Sequence, residues 1–196
     1  RHKVYALPRA GYKRPVDVAR ALERALPGVT VSTSNPDRVA YSRDLWPRRL
    51  LDVRAGRPAV SPPLAVVWPT STDELATLTR FAHEEGCALV PFGAGSGVCG
   101  AVDPSARTIV VDLKKIRDFS IDPSGPQIDV GAGAMGITLE EDLERAGFTI
   151  GHFPSSILCS TVGGWIAARG AGQCSGMYGK IEDMVVSVDC VLGTGD

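Results

Sequence analysis

Histidine, paired cysteines and long apolar runs are what this sequence has least of. Its 196 residues include three histidines and five cysteines, and Cys87, Cys99, Cys159, Cys174 and Cys190 form no C-x-x-C pair. That spacing speaks against a zinc shell. An odd, scattered set fits reduced thiols used as small core residues. Cys99 and Cys159 stand apart because each falls inside a glycine-rich segment discussed below. Cationic surplus is missing too: Lys plus Arg is 21 against 22 for Asp plus Glu, a net charge of -1. Nothing remains to neutralise a nucleic-acid backbone or an anionic bilayer. No apolar run approaches the roughly 20 residues that cross a membrane. The opening RHKVYALPRAGYKRP has no secretory apolar stretch, so the chain reads as soluble and cytoplasmic. Internal repeats and low-complexity tracts are also missing.

Glycine is scarce at first and then abundant. Gly11, Gly28 and Gly56 are the only three before residue 86, and the other 19 of 22 lie between Gly86 and Gly195. The break suggests two regions, an N-terminal helical segment and connection over residues 1–60 and a second unit over 61–196. A helix is expected from Pro15, with Val16, Ala19, Leu22 and Leu26 near helical spacing and Pro27-Gly28 ending it. Arg43–Arg57 reads as a Pro- and Arg-containing connection whose Arg48, Arg49, Arg54 and Arg57 form a solvated surface.

From Leu64 short apolar runs alternate with helices, the pattern of β-α-β units with buried strands. Strands are expected at Leu64–Trp68, Ala88–Phe92 and Thr108–Leu113. Between the first two a helix spans Ser71–Glu85, opened by the box Ser71-x-x-Glu74, apolar at Leu75, Leu78 and Ala82, and closed by Gly86. Phe119–Ile121 and Gln127–Val130 flank a turn of Asp122-Pro123-Ser124-Gly125-Pro126 and read as an antiparallel hairpin. Thr138-x-x-Glu141 should cap a further helix that ends near Gly147. The β-branched run Ile181–Leu192 should be a closing strand. The chain begins at Arg1 and stops at Gly193-Thr194-Gly195-Asp196, directly after that run, and reads as cut at both ends.

Two segments carry chemistry. The loop Pro91-Phe92-Gly93-Ala94-Gly95-Ser96-Gly97-Val98-Cys99-Gly100 follows a buried strand and is dense in residues without a β-carbon. Such a loop can turn consecutive N–H groups inward and hold a pyrophosphate, although glycine clusters also make plain turns. It lacks the Gly-Lys-Ser/Thr of nucleoside-triphosphate loops and the third glycine of the G-x-G-x-x-G fingerprint, which disfavours a nicotinamide cofactor. The second segment, Pro154–Gly172, is small and hydroxyl-rich apart from Trp165, Arg169 and a few aliphatics. It can take a flat ring against backbone and hydroxyl donors, or it can be a helix packed closely through Gly163-Gly164 and Ala167-Ala168.

Taken in order, P-F-G-A-G-S-G, P-S-S-x-x-x-S-T-V-G-G-W-I-A-A-R-G-A-G and Y-G-K-I-E-D-M-V resemble the FAD-binding domain of the vanillyl-alcohol oxidase and para-cresol methylhydroxylase superfamily. The likeness covers residues 37–196, including Tyr41-Ser42-Arg43-Asp44-Leu45 and Val66–Glu74. Within that superfamily the sequence is most similar to the branch of D-lactate dehydrogenases, the glycolate oxidase flavin subunit and alkylglycerone-phosphate synthase. S-T-V-G-G-W with the last motif leans toward the synthase.

The resemblance implies an α+β fold of two α/β subdomains, a small parallel-type sheet and a larger mostly antiparallel one, with FAD between them. It implies Pro91, Phe92, Gly93, Ala94, Gly95, Ser96, Gly97 and Val98 around the pyrophosphate, and Pro154, Ser155, Ser156, Ser160 and Thr161 beside the flavin and ribityl chain. Gly163, Gly164, Ala167, Ala168, Arg169 and Gly170 would line the isoalloxazine, and Met184 and Val185 would cover the adenine end. Glu182 and Asp183 read as solvated turn acids. No histidine lies in or just after the first loop, so the FAD is expected to be non-covalent. His152 reads as a wall residue ahead of an acid-base group.

The implied activity is FAD-linked oxidation of a 2-hydroxy acid of the D-lactate or glycolate type, by hydride transfer to flavin with an electron acceptor downstream. Two alternatives stand beside it: a synthase-like flavoenzyme using flavin without net redox change, and a flavin-binding fragment or electron-transfer subunit without turnover of its own. Substrate and catalytic residues would come from a cap domain beyond Asp196, so no catalytic residue is named. No metal is expected, the substrate is a small molecule, and homo-oligomerisation is left open.

Overall fold

A computed structural model describes residues 15–57 and 61–196. The opening peptide, on which the absence of a secretory stretch was judged, lies outside the described residues. Helix α1 spans Pro15–Ala25 and strand β1 Thr30–Ser32. Helix α2 runs Asn35–Ala40, α3 Pro47–Arg54, β2 Ala65–Trp68, α4 Thr72–Glu85, β3 Ala88–Phe92 and β4 Thr108–Asp112. The order in the sheet is β1-β2-β4-β3, with β2, β4 and β3 parallel and β1 antiparallel at one edge.

Helix α4 forms for reasons visible in its ends. Ser71 Oγ accepts the Glu74 N–H at 3.2 Å, and Gly86 closes the last turn in the left-handed conformation at φ 62°. Glu74 does not reach back to Ser71; its carboxylate accepts the Thr70 N–H at 2.6 Å and the Thr70 hydroxyl at 3.0 Å. The helix buries Leu78 and Phe81 against Val18 and Leu22 of α1, Leu26 just beyond it, and Ala65, Val67, Ile109 and Val111 of the sheet. Alternation along β4 sends Ile109 and Val111 into that core, and Val110 to the opposite face with Phe92, Val102 and Tyr41. Asp112, two residues on, shares the face of Val110.

The second core is built on a hairpin, β5 Phe119–Ile121 and β6 Ile128–Val130, and on α5 Gly136–Arg145. A 3₁₀ turn at Ile157–Cys159 leads to α6 Val162–Ala168, then α7 Ser175–Tyr178 and α8 Ile181–Met184. Ala134, Leu139, Leu143, Val162, Trp165 and Ile181 form its centre. The two cores meet through main chain. A β-carbon on Gly133 would stand 1.8 Å from the Leu113 carbonyl oxygen, so residues 131–133 lie directly on the turn that leaves β4.

Several expectations need correction. The antiparallel sheet among the described residues has two strands and the mostly parallel one four, so their expected sizes are reversed. Helix α5 starts at Gly136, not after a Thr138 cap, because the Gly136 N–H bonds the Ser160 carbonyl at 2.9 Å and Met135 bridges to Thr161. This tertiary pairing fixes the start. Ile181–Leu192 is not a strand: Ile181–Met184 is helical, with the Asp183 carboxylate accepting the Lys180 N–H at 2.8 Å. No described strand lies beside residues 185–192, and Val186, Val188 and Leu192 are exposed. A run with no neighbour has nowhere to place its ladder hydrogen bonds. Finally, Arg43–Arg57 is not only a connection, since α3 occupies most of it.

Candidate functional site

Strands β3 and β4 end side by side, Phe92 opposite Asp112, and the loop 93–100 leaves from there. This is the carboxyl edge of a parallel sheet, where such folds place their ligands. Among the described residues, no backbone N–H from Gly93 to Gly100 donates a hydrogen bond to the chain. Two of the loop's carbonyls, in contrast, are held. The Gly93 oxygen accepts from Lys114 Nζ at 2.8 Å and the Gly97 oxygen accepts from the Leu45 N–H at 2.8 Å. Gly95 adopts φ 71°, which suits glycine, and a β-carbon there would stand 2.6 Å from the Phe92 ring.

Beneath the loop lie two buried carboxylates. Asp44, 2% exposed, accepts the N–H groups of Trp46 at 3.0 Å and Ala101 at 2.9 Å, tying the far foot of the loop to residues 44–46. Asp112 is fully buried and accepts from Tyr41 Oη at 2.5 Å, Trp68 Nε1 at 3.0 Å, the Lys114 N–H at 2.9 Å and Lys114 Nζ at 2.6 Å. Burial, reinforced by the bond to Asp112, pushes the Tyr41 phenol up to about 12. Four donors on one buried carboxylate are what a buried charge requires.

The second segment comes up against this loop from the other core. A β-carbon on Gly93 would stand 2.3 Å from Thr161 Oγ1, so the two glycine-rich segments are neighbours in space although far apart in sequence. Thr161 caps α6 through the Gly164 N–H at 3.3 Å. Ser160 is engaged twice, donating to the Ser156 carbonyl at 2.7 Å and accepting from Trp165 Nε1 at 2.7 Å. Gly163 packs on Ala132, and its N–H bonds the Ala132 carbonyl at 2.9 Å. Val162 and Trp165 face inward, leaving Gly164, Ala167 and Ala168 on the exposed side of α6.

The remaining predicted positions are scattered around this junction. Pro91 is exposed, whereas the Phe92 ring packs in the core 4.6 Å from Tyr41. Ala94 and Ser96 are half-buried and Val98 is exposed at the loop tip. Ser155 is exposed, while Pro154 and Ser156 are half-buried before the 3₁₀ turn. Arg169 holds φ 51° and pairs with Glu182 at 2.7 Å, a contact that draws the Glu182 carboxyl down to about 2. Gly170 accepts the Ile181 N–H at 3.2 Å. Met184 and Val185 lean on the second core.

His152 is fully buried, its ring 4.8 Å from that of Trp165, and neither ring nitrogen has a hydrogen-bond partner. Burial lowers its pKa from the ordinary value of 6.5. Sequence reasoning missed Asp44, Asp112, Trp68 and Lys114. An aspartate closing the apolar strand Thr108–Asp112 was the available signal.

These features suit a flavin dinucleotide. Amides without acceptors suit a diphosphate, a face of small side chains beside them leaves room for a flat ring, and the Gly93 position would be filled by any β-carbon. Among the described residues no group of side chains could hold a metal, and no helix is long and apolar enough to cross a membrane.

Comparison with known proteins agrees. Residues 63–196 match a family described as FAD binding domain. The chain is 36% identical over 159 residues to the alkyldihydroxyacetonephosphate synthase of Trypanosoma brucei brucei, covering 78% of this chain and 25% of that protein. It is 29% identical over 164 residues to glycolate oxidase subunit GlcD of Bacillus subtilis, covering 83% and 33%. A solved alkyldihydroxyacetonephosphate synthase superimposes with a TM-score of 0.79 at 30% identity, covering 87% of this chain and 32% of that one. The chain therefore spans a quarter to a third of the length of these relatives.

Proposed function

The chain belongs to the FAD-binding-domain family of flavin-dependent enzymes, with FAD as cofactor, and from that premise we propose that it is the flavin-holding part of an alkyldihydroxyacetonephosphate synthase-like enzyme. The observation that supports the cofactor's place is the loop 93–98, whose N–H groups have no acceptor among the described residues while its carbonyls at 93 and 97 are held elsewhere. In this reading Gly93, Ala94, Gly95, Ser96, Gly97 and Val98 offer main-chain donors to the diphosphate. Thr161, Gly164, Ala167 and Ala168 border the ring. Ser160 holds Trp165 in place, and Phe92 supports the loop from within the core. Residues 61–196 carry the cofactor and residues 15–57 brace the first sheet. When bound, flavin supplies the redox-active ring. What this chain's own groups do is bind, orient and exclude water.

The synthase reading rests on the 36% and 30% identities. A second reading, oxidation of a 2-hydroxy acid, is supported by the likeness to the glycolate oxidase subunit. Substrate-binding and catalytic groups, an electron acceptor and any oligomer belong to the proposal and are assigned to no residue. The purified protein with FAD should show the two visible flavin bands, and those bands should persist when D-lactate or glycolate is added without air. Bleaching by either acid would replace the first reading with the second. Failure to take up FAD at all would remove both.

A further inference from the structure

Lys114 lies outside both glycine-rich segments, yet its ammonium sits between Asp112 Oδ2 at 2.6 Å and the Gly93 carbonyl oxygen at 2.8 Å. It also lies 5.0 Å from the Phe92 ring centre and 5.6 Å from that of Tyr41. The same carboxylate holds the Lys114 N–H, so both ends of the residue are tied to one buried group. No cis peptide occurs among the described residues. In a trans peptide the C=O and the following N–H point in opposite directions. Fixing the Gly93 oxygen on Lys114 therefore turns the Ala94 N–H away from Asp112, toward the side on which the chain supplies no acceptor. The Gly97 oxygen, held by the Leu45 N–H, does the same for Val98.

We infer that Lys114 is a positioning residue for the dinucleotide diphosphate, acting through the Gly93–Ala94 peptide it holds. This rests on the FAD reading above. The lysine's charge is balanced by Asp112, so its effect on the diphosphate is exerted by orientation of a main-chain donor rather than by an unpaired cation. A lysine that only neutralised Asp112 would leave the Ala94 amide without preference, and the two roles are separable.

The experiment titrates FAD into flavin-free protein and follows the Ala94 and Val98 amide resonances, for wild type, Lys114→Met, Lys114→Arg and the double variant Asp112→Asn/Lys114→Met. The double variant removes both charges together, so no lone buried carboxylate undermines the fold. The wild-type Ala94 and Val98 amides should both move on binding. Both methionine variants should bind FAD about tenfold more weakly, the scale of one oriented hydrogen bond to a charged group. They should lose the Ala94 response and keep that of Val98, while arginine, which can span the same two oxygens, restores the affinity and the Ala94 response. FAD affinity unchanged in the methionine variants overturns the inference. So does weaker binding with the Ala94 response intact, or a wild-type Ala94 amide that FAD does not move; this last outcome needs no variant to fold. No FAD binding by the wild type removes the cofactor reading itself, and this inference with it.

Discussion

The two glycine-rich segments use the same residue for opposite ends. In the loop 93–100 the amides are left without acceptors, and the space a β-carbon would fill at Gly93 and Gly97 adjoins Thr161 and Asp44. In the segment 154–172 most of the smallness is spent on the protein itself. Gly163 closes on Ala132 and Gly172 on the Phe153 backbone, while Ser160 bonds within the segment. Glycine density alone therefore does not mark a ligand contact. What marks it is whether neighbouring polar groups are already satisfied.

The strongest way to break that contrast is Gly172→Ala. Its β-carbon would stand 2.6 Å from the Phe153 nitrogen, a main-chain atom that cannot rotate aside. Loss of about 2–3 kcal/mol is expected in urea melts of the flavin-free protein. A variant that melts like wild type but binds no FAD would place Gly172 with the loop instead.

A smaller effect should follow from His152, two residues before the second segment, whose buried ring nitrogens have no hydrogen-bond partner among the described residues. Burial depresses its pKa below 6.5, so as pH falls through 6.5 the unfolded chain takes up a proton that the folded one refuses. The stability is fully present above that pH and is lost progressively toward the lowered value. Chemical denaturation at a series of pH values should show this loss, and His152→Phe should flatten it. Equal slopes in the two proteins would mean that the ring nitrogens find partners in solution.

The smallest effect sharpens the contrast from within α6. Gly164 faces outward, and a β-carbon there would meet only Thr161 Oγ1, at 3.2 Å. Gly164→Ala should leave the flavin-free fold unchanged or more stable by up to about 1 kcal/mol, since alanine favours a helix. FAD affinity, measured by fluorescence titration, should fall. Unchanged affinity would move the ring away from this face.

Much of the first subdomain was legible because local rules and tertiary structure agree there. The strands near 65, 88 and 108, the Ser71 cap and the Gly86 stop are each written within a few residues. Helix α3 was not legible, since four of its eight residues are Pro or Arg and none is buried. The start of α5 is set by the distant Ser160 and Thr161, and β1 by pairing with β2. Residues 185–192 show the limit of propensity, which describes a strand's composition but supplies no neighbour. At the site, the loop announced itself through glycine. Asp44, Asp112 and Lys114 did not, because an isolated charge in sequence reads as solvent-facing until the fold shows what it is buried against.

The held carbonyls at Gly93 and Gly97 also bear on how freely this part of the sequence can drift. Donors that belong to the main chain survive almost any exchange of side chain at Ala94, Ser96 or Val98, and only proline would delete one outright. The vulnerable points are instead the residues that aim those donors from outside the loop.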